Sequence, residues 1–223
     1  MNVSGVAKIS SGEYEHIFIN GVGELDGDIT CITLSVSGVA KGKGVRCTED
    51  IKVSGCAYFS GSLDAKSIHV SGMLGGTDKI LAEDISVAGS IQHVKGIECD
   101  TLDVSGVLGV KELVTAKKVE CKGSFCCGAI TADEVNMQWK GKVKAFCIEA
   151  AKVVLRCKKG LFRKRARVRS HVKGEEIIVE HLCCPLVAGT KVTIGKKCRI
   201  DVVQYKESVE ISPKAKVKKI EKI

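Results

Sequence analysis

One short phrase recurs along this chain and restricts what it can fold into. Leu34-Ser-Val-Ser-Gly38 returns as Ile51-Lys-Val-Ser-Gly55, Ile68-His-Val-Ser-Gly72, Ile85-Ser-Val-Ala-Gly89 and Leu102-Asp-Val-Ser-Gly106. Val119-Glu-Cys-Lys-Gly123 is a looser copy. The glycines at 38, 55, 72, 89, 106 and 123 fall 17 residues apart, and Gly21 extends the series one step upstream. Gly5 lies 16 before Gly21, and Gly141 lies 18 after Gly123. A fixed period of this length marks a stacked architecture.

The phrase alternates apolar and variable positions, which predicts a short strand with one buried face. The glycine predicts a corner, where a positive φ suits a residue without Cβ. The serines are expected to serve that corner by local hydrogen bonding. A second apolar column lies two residues past each glycine: Ala40, Ala57, Leu74, Ile91, Leu108, Phe125 and Val143. A third element pairs an apolar residue with a small one, as in Ile29/Cys31, Val45/Cys47, Leu63/Ala65 and Ile97/Cys99. Each unit therefore carries three short inward segments. One unit cannot bury its own apolar face, but stacked units can. The expected fold is all-β: a parallel β-helix of triangular section with about 17 residues per coil.

Composition agrees with a narrow core. Hydrophobic residues make up 44% of the 223 but aromatics only 4%. The twelve cysteines form no Cys-x-x-Cys pair, so the usual zinc spacing is missing. Several occupy columns shared with alanine or valine and are expected to be small buried residues. Cys31 and Cys47 are expected to stack in adjacent coils, about 4.8 Å apart. No export signal or long apolar run is evident, which points to a reducing cytoplasm.

Residues 1–155 read as regular coils that begin by Val3. Phe18 stands at an outward position and Trp139 at an inward one. Residues 156–176 read as basic, irregular coils with a longer turn, because Met137 to Ile177 spans two coils plus six residues. Residues 177–223 read as further coils of one continuous solenoid, with Ile177, Ile194 and Ile211 in 17-residue steps. Little chain is left at either end to cap the stack, so the ends are expected to be open to end-to-end assembly. Charge is unevenly shared. Residues 1–151 hold 15 Lys+Arg and 19 Asp+Glu, a net of −4, whereas residues 152–223 hold 20 and 7, a net of +13. The candidate contact patch is Lys158, Lys159, Arg163, Lys164, Arg165, Arg167 and Arg169. Anionic membrane and nucleic acid are the partners such a patch suggests.

The 17-residue coils with their apolar-x-Val-Ser-Gly phrase resemble the bactofilins, bacterial cytoskeletal proteins built on a right-handed β-helix. Val192-Thr-Ile-Gly195 and Cys198-Arg-Ile-Asp-Val-Val-Gln-Tyr205 extend the likeness to the bactofilin-like proteins of motile, spore-forming Gram-positive bacteria. The resemblance implies a cytoplasmic, membrane-associated or free, nucleotide-independent filament that serves flagellum assembly, motility or cell shape. It implies self-association and contact with related bactofilin-like proteins. It implies no catalytic residue, metal, cofactor or small-molecule substrate. The main rival is a hexapeptide-repeat acyltransferase, also a β-helix. Its coils approach 18 residues and it needs a histidine base, whereas His16, His69, His93, His171 and His181 are scattered. A secreted β-helical adhesin or lyase fits the cysteine count poorly. No phosphate-binding loop of the G-x-x-x-x-G-K-S/T type occurs.

Overall fold

The computed structural model describes residues 1–139, 141–157 and 165–223. Among them every regular element is a β-strand. The chain divides into two compact units, Met1–Lys111 and Glu112–Ile223. Each is a parallel β-solenoid in which a strand pairs with its copy in the next coil.

In the first unit the phrases lie in register. Leu34 pairs with Ile51, Ile51 with Ile68, Ile68 with Ile85 and Ile85 with Leu102. These residues and the valines two positions on are all buried. Between them Ser35, Lys52, His69, Ser86 and Asp103 form an outward column, as the alternation predicts. Ala40, Ala57, Leu74, Ile91 and Leu108 line a second inward column. Burying each Val, Leu or Ile contributes roughly 1.5–3 kcal/mol. The long inward columns therefore stabilise a core that needs few aromatic rings.

The corners work differently from the expectation. The repeat glycines do not adopt left-handed φ; in this unit that conformation belongs to Gly12, Gly27, Gly76 and His93. Glycine is needed because the coils touch. A Cβ on Gly38 would fall inside 3.0 Å of the Gly21 carbonyl oxygen, and the same clash recurs for Gly55, Gly72, Gly89 and Gly106 on the preceding corner glycine. At Gly5 nothing among the described residues comes within 4 Å. The serine hydroxyls do not close the corner either. Ser37 and Gly38 both donate their backbone N–H to the Ile19 carbonyl at 2.9 Å, and Val39 donates to Gly21 at 2.8 Å.

The first coil runs through Val6–Ile19. Tyr14 stands in the column filled below by Cys31 and Cys47. Its hydroxyl donates to the Ser10 carbonyl at 2.9 Å. Ile9, Ile17 and Ile19 are fully buried in this coil, although its outer side is paired only through Asn2–Val3.

In the second unit coil length varies. One column runs Val119, Val135, Val153, Ile177, Val192, Val209. Trp139 pairs with Cys157 and Lys144 with Arg167; residues 158–164, near which the sequence reading puts the longer turn, lie outside the described residues. Ile177 pairs with Val192, not with Ile194, which corrects the 17-residue spacing read there. That coil is two residues shorter than the 17-residue repeat and contains His181, whereas Lys197 belongs to the next coil. His181 (φ 53°) and Lys197 (φ 60°) take the left-handed conformation where no glycine phrase exists. The His181 N–H donates to the Lys196 carbonyl, so these corners also stack. Trp139 is fully buried, as its inward place requires, and Phe18 is 44% exposed.

Candidate functional site

Ala166 and Val168 are buried, so the alternation turns Arg165, Arg167 and Arg169 outward, and all three are exposed. Lys158, Lys159, Arg163 and Lys164 of the sequence-derived patch lie outside the described residues. The structure adds residues that are remote in sequence. Lys144 pairs with Arg167, Arg167 with Cys183, Cys183 with Arg199, and Arg199 with Lys216. These five residues form one outward column over five coils, four of them cationic. Adjacent rungs are about 4.8 Å apart.

Two shallow depressions lie along this column, with volumes of about 480 and 600 Å³, and both are lined by Arg167, Cys183 and Arg199. Lys142, Lys144 and Arg165 extend the first. Arg169, Pro185 and Lys216 extend the second. Elsewhere the outward faces carry ion pairs between coils: Lys8–Glu24 at 3.5 Å, Arg46–Asp64 at 3.2 Å, Lys79–Glu98 at 2.7 Å and Lys152–Glu176 at 3.5 Å. On the basic column the neighbouring carboxylate, Asp201, is taken by Lys218 at 2.8 Å. Phe146 stands beside the column, two residues past Lys144 on the outward side, and is 55% exposed. Sequence reading missed Lys142, Lys144, Arg199, Lys216 and Phe146. Threading the basic residues onto coil positions was the available signal, but the irregular coil lengths hid it.

The histidines do not converge on one site. His16 contacts Thr33 Oγ1 at 2.9 Å, and His69 contacts Ser67 Oγ at 2.8 Å. His181 is buried. His171 is held on both sides, by Ser170 Oγ at 2.9 Å from Nδ1 and by Glu149 at 2.7 Å from Nε2. The Ser170 backbone N–H is already engaged by the Phe146 carbonyl at 2.8 Å, so it does not point at a bound group. Among the described residues no group of three or more His, Cys, Asp or Glu is placed to hold a metal. No helix among them is long and apolar enough to cross a membrane.

The cysteines divide into classes. Cys31, Cys47, Cys99 and Cys121 are buried, as the column reading expects, and so are Cys184 and Cys198. Cys56 and Cys126, which the column reading did not place, are exposed, and the other four are half-buried. The exposed pair sit at outward positions, one residue before or after an inward column. Cys31 and Cys47 are register partners with Sγ atoms 3.1 Å apart. The hydrogen bond between them, with burial, pushes the Cys47 thiol far above its ordinary range. Burial pushes Cys99 up to about 12, with Asp100, Asp84 and Glu98 adding to the effect. Burial likewise raises Cys184 to about 12.

Comparison with protein-family models, with curated proteins and with solved structures finds no match for this chain.

Proposed function

We propose that the chain is a structural protein of the bactofilin kind. It is a cytoplasmic scaffold that self-assembles into filaments without nucleotide and organises a process such as flagellum assembly or cell shaping. The observation that carries this reading is the sameness of the stacked coils. In the first unit each coil offers the next the same strand register, the same buried columns and the same glycine corner. An edge that accepts one coil therefore also accepts an equivalent coil from another copy. Two such edges exist among the described residues. Val6–Ile19 is paired along its length on one side only, and Lys216–Lys222 pairs only with Arg199–Ile211. The second edge also leaves Ile220 52% exposed.

Negative-stain microscopy and sedimentation of the purified chain, with and without ATP or GTP, test the reading. Filaments that form equally in both conditions are expected. Sedimentation as a monomer at every protein and salt concentration would overturn it.

A further inference from the structure

We propose that the outward face of the second unit binds a single-stranded nucleic acid, whose phosphates lie along the Lys144–Arg167–Arg199–Lys216 column. The proposal is independent of filament formation. Three observations carry it.

The first is an electrostatic cost without an internal remedy. Lys144 and Arg167 are direct register partners, and so are Arg199 and Lys216. Like charges placed opposite each other on adjacent strands destabilise a sheet. At four other places among the described residues an acid stands beside a base in the neighbouring coil. Here no carboxylate of the described residues lies within 4.0 Å of any of the four cations. A bound polyanion removes the repulsion.

The second is shape. The cations line two depressions that share Arg167, Cys183 and Arg199, rather than a bulge. A flexible single strand can follow a concave track and adjust its phosphate spacing to the rungs. A flat bilayer surface reaches a depression less well. Arginine at the two central cationic rungs suits phosphate, because its guanidinium offers paired donors.

The third is Phe146. It is the exposed aromatic among the described residues of this unit, and it lies beside Lys144 and Arg169. A cationic track with an adjacent aromatic ring is the usual arrangement for sequence-tolerant binding of single strands, in which bases stack on the ring.

The test is fluorescence anisotropy with labelled oligo-dT, run beside a duplex of equal length and vesicles of phosphatidylcholine containing phosphatidylserine. Four phosphate contacts predict a salt slope of about −2.8, which is roughly 50-fold weaker binding between about 50 and 200 mM salt. The exposed pair Arg167→Gln/Arg199→Gln should reduce that slope by about 1.4. Phe146→Ala should weaken binding about tenfold at constant slope. Without ligand, the double variant should melt higher than the parent, because like-charged rungs are gone. That reading reports on the column even if a variant binds nothing. Preference for vesicles over oligo-dT, or single-strand binding that the double variant leaves unchanged, would overturn the proposal.

Discussion

Gly38 lies so close over Gly21 that a single methyl group on Gly38 would enter the Gly21 carbonyl oxygen. The same relation holds up the corner through Gly106. The most conspicuous feature of the sequence is therefore a record of how closely the coils approach.

This relation separates two glycines that look alike in sequence. Gly72→Ala should destabilise the protein by about 1–3 kcal/mol or more, because the backbone beneath must shift. Gly5→Ala, with open space at the same place, should change stability by less than about 0.5 kcal/mol. Denaturant melts of the two variants check this. Equal effects would show that backbone freedom, not coil contact, selects glycine.

Inward and outward neighbours should differ as sharply. Ile19 is fully buried and Phe18 is 44% exposed. Ile19→Lys places an unpaired charge in the core and should abolish cooperative unfolding. Phe18→Ser should melt within about 0.5 kcal/mol of the parent. Circular dichroism melts distinguish the two outcomes.

The Cys31–Cys47 pair should form a disulfide on treatment with a thiol oxidant such as diamide, since the thiols are 3.1 Å apart in register. Closing a loop of this size stabilises a fold by about 3 kcal/mol in the chain-entropy description. A reducible rise in the melting temperature, lost in Cys31→Ala, is expected. In the native protein Cys56 and Cys126, both exposed, should react with a thiol reagent first. Mass spectrometry of labelled peptides reads both results.

Alkali should weaken the fold. The Cys99 thiol is raised to about 12 from an ordinary value near 9.0. In the unfolded chain it ionises first, so the unfolded state releases its proton at lower pH. The contribution is fully present below about pH 9 and is lost as pH rises toward 12. Cys184 adds in the same direction. Urea midpoints measured from pH 8 upward should fall, and Cys99→Ala should flatten the decline. The variant should keep most of its stability, because Ala65 and Ala82 already fill neighbouring places in that column.

Much of this protein was legible in its sequence. The solenoid, the inward columns, the outward place of His69 and the burial of Trp139 follow from a 17-residue period and a two-residue alternation. Both are local patterns, and parallel stacking converts them directly into contacts. Tertiary structure decided what those patterns do not encode. The pairing of Ile177 with Val192 depends on a 15-residue coil that turns at His181, a residue of no special sequence signature in the left-handed conformation. The alignment of Lys144, Arg167, Arg199 and Lys216 depends on coils of unequal length, so no constant spacing betrays it. A period fixes which residues stack only while every turn holds the same number of residues. Where the turns differ, the backbone hydrogen bonds between coils set the register, and with it the site.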